Sequence, residues 1–141
     1  LGDSIPENRM FAQYHSEYTE EMKQMIVNQL SMADSKIRVV FATVSLGMGL
    51  DAKSIRHVIH YRPPTSLEKY FQEIGRAGRD QEPANATLYY NKTDIRSNRP
   101  GITKEIIDYC RNTSQCRRQL ILNYFGYEAQ KTEKCCDLCE Q

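Results

Sequence analysis

The sequence predicts an α/β fold: a lobe built on a parallel sheet, followed by a small helical subdomain closed by cysteines. Three observations carry this. Up to about residue 97, stretches with helical spacing of apolar residues alternate with short continuous apolar runs. Beyond "SNRPG" the periodicity is helical only. The closing "CCDLCEQ" holds three of the five cysteines.

Residues 19–30, "TEEMKQMIVNQL", read as a helix. Met22, Ile26 and Leu30 repeat at four-residue intervals, and Met25 joins their face. Thr19 followed by Glu20 and Glu21 suits a helix start, where acids meet the positive end of the dipole. "KIRVVFAT" reads as a strand, and the unbroken run Val39, Val40, Phe41, Ala42 predicts burial on both faces. "SLGMGL" is a turn-rich loop. "RHVIHY" is a second strand, stopped by Pro63 and Pro64. "SLEKYFQEIGRAG" is the next helix, with Ser66 as cap and Lys69 one turn from Glu73. "NATLYY" is a third strand. In parallel sheets ligands bind at the carboxyl ends of the strands, which singles out the loops after "VVFAT" and "VIHY". After "SNRPG", "TKEIIDYCRN" and "SQCRRQLILNYF" are helices, the second ending near Gly126. "YEAQKTEK" is a polar connection.

With 141 residues the chain holds one modest core, or one domain with an appendage. Its formal net charge is +1, so a nucleic-acid site would have to be local. No apolar run approaches the ~20 residues of a membrane span. The opening "LGDSIPENRM" lacks the basic flank and apolar stretch of a signal peptide. The chain does not begin with Met and reads as a piece of something longer.

An odd number of cysteines, three of them in "CCDLC", fits a disulfide framework badly. Adjacent cysteines rarely bridge, because the geometry is strained. A reducing compartment and a metal site are expected instead. Cys136 and Cys139 make the C-x-x-C knuckle of a zinc site; Cys135 stands directly before it, and 18 residues separate Cys135 from Cys116. Four thiolates on one structural zinc would clip the final loop onto the helix carrying Cys116. Metal binding would supply the folding free energy that so short a tail lacks. Four thiolates leave no open position, which argues against catalytic zinc. A thioredoxin-type redox pair sits at a helix start after a strand, and no strand precedes this knuckle. Cys110 falls on the apolar side near Ile106 and Ile107 and reads as core.

"YFQEIGRAGRD", residues 70–80, begins as an amphipathic helix and then places Gly75 and Gly78 where each costs about 1 kcal/mol relative to alanine. On a helix Arg76 and Arg79 would share one face, and the glycines beside them would let another surface approach. Arginine's planar fork suits phosphate oxygens. Two solvated arginines on a surface helix would leave the glycines unexplained. The chain has no phosphate cradle of its own. "GMGLDAKS" nearly matches G-x-x-x-x-G-K-[ST], but Ala52 stands where glycine is required and Asp51 would repel phosphate. A strand follows it rather than a helix. The nucleotide has to be bound elsewhere.

These residues carry a resemblance. "RVVFATVSLGMGLD" resembles helicase motif V, and "YFQEIGRAGRD" resembles motif VI of superfamily 2 helicases. "CRRQLILNYFG" followed by the cysteine cluster is similar to the zinc-binding subdomain of RecQ-type DNA helicases, and "KCCDLC" is most similar to the Werner-type zinc site. Tyr14–His15 resembles the "YH" that opens motif IVa. The resemblance covers nearly the whole chain. It implies a RecA-like second motor lobe, truncated at its N-terminus, over residues 1–97, and a helical zinc-binding subdomain over residues 98–141.

By the same resemblance the parent would be an ATP-dependent 3′-to-5′ DNA helicase of repair, recombination or replication. It would work in the nucleus of a eukaryote or the cytoplasm of a bacterium. Arg79 matches the arginine finger that reaches the γ-phosphate of ATP bound on the other lobe. Arg76 and Gln72 match its companions, with Gly75 and Gly78 in the same motif. Asp51 matches the acid near the nucleotide sugar. Thr43 and Ser45 match positions on the DNA backbone, where contacts are independent of base sequence. Cys116, Cys135, Cys136 and Cys139 match the zinc ligands. Walker A, the magnesium-binding acids and the attacking-water glutamate belong to a first lobe absent here. ATP and Mg2+ are therefore expected mainly on that lobe, and the isolated chain is expected to hydrolyse no ATP. Arg111, Arg117 and Arg118 would be offered to phosphates, or would form a solvated helix face.

Gln81 departs from the glycine that usually follows "GRAGRD", "YHSEY" from "YHAGL", and "LGMGL" from "FGMGI". None of these touches the arginines or cysteines. Two rivals stay open. One is a double-strand translocase lobe of the chromatin-remodelling kind, against which the cysteines argue. The other is a non-catalytic zinc module that binds nucleic acid or protein, which leaves the glycines and arginines unused.

Overall fold

Thr19 opens the first helix as predicted. In a computed structural model describing residues 9–32, 34–43, 54–128 and 135–139, its Oγ1 accepts a hydrogen bond from Met22 N at 3.3 Å. Helix α1 (Glu20–Ser31) carries Glu20 and Glu21 in its first turn. Ile26 is fully buried, whereas Met25 is 47% exposed and lies off the face expected of it. One residue's step turns a side chain by about 100°, which carries Met25 away from the Ile26 side.

A strand that periodicity did not reveal precedes this helix. β1 (Phe11–Tyr14) alternates exposed and buried residues and pairs in parallel with β2 (Val39–Ala42), Phe11 opposite Val39 and Tyr14 opposite Ala42. Ala12, Tyr14, Ile26 and Ile37 form a small core. β2 is not buried on both faces: Val39 is 49% and Phe41 62% exposed. Among the described residues β2 pairs with β1 alone. A two-stranded sheet with its apolar core on one side leaves its other face wet.

β3 (His57–His60) and β4 (Asn85–Leu88) form a second pair. Asn85 N donates to Arg56 O at 2.8 Å and Tyr89 N to His60 O at 2.9 Å. The offset is the same at both ends, so this pair is also parallel. Compactness divides the chain into two units, Leu1–Val58 with Gly75–Asn85, and Ile59–Ile74 with Ala86–Gln141.

The second unit holds α2 (Leu67–Ile74), α3 (Lys104–Arg111) and α4 (Arg117–Tyr124). Ser66 caps α2, its Oγ accepting from Lys69 N at 3.4 Å. Lys69 does not pair with Glu73; its Nζ donates to Thr65 Oγ1 at 3.0 Å. Glu73 is taken by His60, whose Nε2 lies 2.6 Å from Glu73 Oε2. Leu67 and Tyr70 share one core with Ile106, Cys110 and Ile121. Tyr70 and Tyr109 meet at a tilt with 5.3 Å between ring centres, and Phe71 meets Phe125 at 4.9 Å. Burying a side chain such as Ile106 fully contributes about 1.5–3 kcal/mol. Gly126, at φ +79°, stops α4 where the sequence predicts. Among the described residues no helix is long and apolar enough to cross a membrane.

Candidate functional site

The glycine–arginine segment is not one helix. α2 ends at Ile74, and residues 75–80 are turns. Arg76 and Arg79 therefore do not share a helical face. Arg76 is only 7% exposed, while Arg79 is exposed and its Nε donates to Gly75 O at 3.5 Å. Gly78 has φ +70°, and a Cβ there would lie 3.1 Å from both Ala84 Cβ and Glu82 O. Its own turn requires the glycine, rather than a surface approaching from outside. Three residues on, Gln81 takes φ +68°. Its departure from the usual glycine thus falls at a left-handed position, which costs an L-residue about 1–2 kcal/mol.

The turn is tied down by a pair that sequence reasoning missed. Arg56 Nη1 donates to Asp80 Oδ1 at 2.8 Å, and Arg56 Nη2 donates to Asp80 Oδ2. Asp80 Oδ1 also accepts Glu82 N at 3.2 Å. The Arg56 guanidinium pulls the Asp80 carboxyl down to about 2. The partners are 24 residues apart and lie on no common repeat, so no sequence pattern announces them. The His60–Glu73 pair was missed for the same reason.

Gln72 is exposed on α2. Thr43 is exposed directly after β2, its N donating to Tyr14 O at 3.1 Å. Ser45, Asp51 and the near-match phosphate loop up to Lys53 lie outside the described residues.

The cysteine centre belongs to the second unit. Cys116 precedes α4 as its N-cap residue. The Sγ atoms of Cys116, Cys135, Cys136 and Cys139 all lie within 4.8 Å of one another. Cys116 and Cys135 are 3.2 Å apart, and Cys139 lies 3.6 Å from Cys135 and from Cys136. These separations far exceed a disulfide bond of about 2.05 Å. They come close to the ~3.8 Å edge of a sulfur tetrahedron around zinc at about 2.3 Å. Gathering the thiols pushes Cys139 up to about 12, through hydrogen bonds with Cys116 first and then Cys136 and Cys135. A cation at the centre reverses that penalty, so the donor set fits zinc. Cys110 stands apart, buried in the core, and burial pushes its thiol up to about 11.

Arg117 and Arg118 follow Cys116 but differ in environment. Arg117 Nε and Nη2 donate to Asp137 Oδ1 at 2.6 Å and Oδ2 at 2.9 Å, and its Nη1 donates to Tyr109 O at 3.3 Å. Its guanidinium also lies over the Tyr109 ring, 5.7 Å from the centre. Arg118 is exposed, as is Arg111.

The helicase conserved C-terminal domain family matches residues 3–81, and the RecQ zinc-binding family matches residues 80–140. The chain belongs to the C-terminal region of RecQ-type superfamily 2 helicases. This RecQ-type region is 38% identical to the ATP-dependent DNA helicase Q1 of Mus musculus, over 89% of the chain and 21% of that relative. It is 33% identical to the RecQ-like DNA helicase blm-1 of Caenorhabditis elegans, over 91% of the chain and 15% of that relative. It is 32% identical to the ATP-dependent DNA helicase RecQ of Pasteurella multocida, over 99% of the chain and 24% of that relative. The RecQ-type chain thus spans about a quarter or less of these relatives' own length.

Proposed function

We propose that this chain is the second motor lobe, over residues 1–97, and the zinc subdomain, over residues 98–141, of an ATP-dependent 3′-to-5′ DNA helicase. Such an enzyme serves DNA repair, recombination or replication, in the nucleus of a eukaryote or the cytoplasm of a bacterium. The observation that carries the reading is the turn at residues 75–80. Two features of that turn, the left-handed Gly78 and the Arg56–Asp80 pair, support it around an exposed Arg79.

In this reading Arg79 meets the γ-phosphate of ATP held with Mg2+ on a first lobe. It supplies positive charge where negative charge develops during phosphoryl transfer. By the resemblance Gln72, Arg76 and Asp51 are assigned to the nucleotide, and Gly75 and Gly78 belong to the same motif as Arg79. Thr43, Ser45 and Arg118 contact the backbone of DNA at a single-strand–duplex junction. Arg117, committed to Asp137, contributes there through the cysteine knuckle. Zinc held by Cys116, Cys135, Cys136 and Cys139 supplies structure rather than chemistry, because four thiolates leave no open position.

The test is Arg79→Ala in the full-length parent. ATP turnover should fall by about a thousandfold or more, with DNA binding kept. Unchanged turnover sinks the reading and favours a zinc module that only binds. The 141-residue chain alone should hydrolyse no ATP.

A further inference from the structure

The Arg117–Asp137 pair lies one residue past a cysteine at each end. Arg117 follows Cys116, and Asp137 follows Cys136. The partners are 20 residues apart, and α4 takes up the first part of that interval. The contact is bidentate, with both carboxylate oxygens engaged. The third guanidinium nitrogen holds a carbonyl of α3, and the backbone N of Arg117 approaches Cys136 Sγ at 3.5 Å. One residue therefore joins three segments: the end of α3, the start of α4, and the loop between Cys136 and Cys139.

From this we infer that Arg117 and Asp137 are positioning residues for the metal centre. The inference rests on the reading that the four thiols hold zinc. Bringing thiol-bearing segments together before the metal arrives costs loop-closure entropy. A bidentate pair beside two of the ligands meets part of that cost in advance. The Arg117 N–H donates toward Cys136 Sγ at 3.5 Å and so helps to hold that sulfur in place. A half-exposed ion pair adds little to global stability. Its loss should therefore appear mainly as faster metal release rather than as unfolding. Arg118, next in sequence and exposed, should have no such effect.

The experiment measures zinc release from the full-length parent to a chromophoric chelator, with the cobalt-substituted absorption spectrum as a second readout. Arg117→Gln and Asp137→Asn should each speed release by about tenfold or more. The double variant should release no faster than the worse single one, because both remove the same contact. The cobalt bands should broaden or shift in both single variants. Arg118→Gln should release zinc at the wild-type rate and keep the wild-type cobalt bands. Asp137 is exposed, so Asp137→Asn keeps the test decisive if Arg117→Gln fails to fold. Wild-type zinc content with release unchanged in Asp137→Asn overturns this inference and leaves the zinc reading standing. So does release equally fast in Arg118→Gln. A wild-type parent that carries no zinc overturns both.

Discussion

Asp80 receives two hydrogen bonds from the guanidinium of Arg56, and this pair closes the turn that carries Arg79. The contact depresses the Asp80 carboxyl from 3.8 to about 2. A depressed acid contributes stability that is fully present above its unfolded value. That contribution is lost as pH falls from about 4 toward about 2. Arg56→Gln should return Asp80 to the ordinary carboxylate range, read by carboxyl NMR titration. Acid unfolding of Arg56→Gln should begin at higher pH than in the wild type. An Asp80 titration that stays near 2 in the variant would show that another group holds it down.

Gly78 and Gln81 both take left-handed backbone, and they should respond in opposite directions. Gly78→Ala combines an unfavourable φ with contacts at 3.1 Å and should destabilise the lobe by more than about 1 kcal/mol. Gln81→Gly relieves strain but adds freedom to the unfolded chain, so a gain of up to about 1 kcal/mol is expected. Urea unfolding midpoints of the two variants check this.

Metal removal should separate the five cysteines into two classes. Cys136→Ser in the parent should abolish zinc binding, measured by metal analysis. A strong chelator acting on the wild type should open residues 135–139 to hydrogen exchange while the Ile106 core stays protected. Cys110→Ser should retain its zinc and lose about 1–3 kcal/mol of stability, the cost of placing a hydroxyl in the core.

Adjacent arginines should give different phenotypes. Arg118→Ala in the parent should weaken DNA binding uniformly across sequences and lower the salt slope by about 1. Arg117→Ala should affect metal retention before it affects the salt slope. Equilibrium binding at several salt concentrations distinguishes the two.

Much of this was legible in the residues. Thr19, Ser66 and Gly126 mark helix ends because capping and left-handed stops act within three or four residues. The C-x-x-C knuckle is equally local, and Cys116 came with it through the resemblance of "CRRQLILNYFG". β1 escaped notice because four residues of half-exposed strand leave little periodicity to read. β2 was expected to be buried on both faces because a continuous apolar run states hydrophobicity and not what covers it.

The sequence by itself determined the family and the helix caps and singled out the four thiols that the fold gathers, since residue type and short spacing decide these. Only the tertiary structure decided that the helix stops at Ile74, that Arg76 is buried while Arg79 is exposed, and that Arg117 is bound to Asp137. Those outcomes depend on partners about 20 residues away, such as Arg56 for Asp80 and Asp137 for Arg117. Helical and strand repeats reach only a few positions along the chain, so contacts at that distance are fixed by folding.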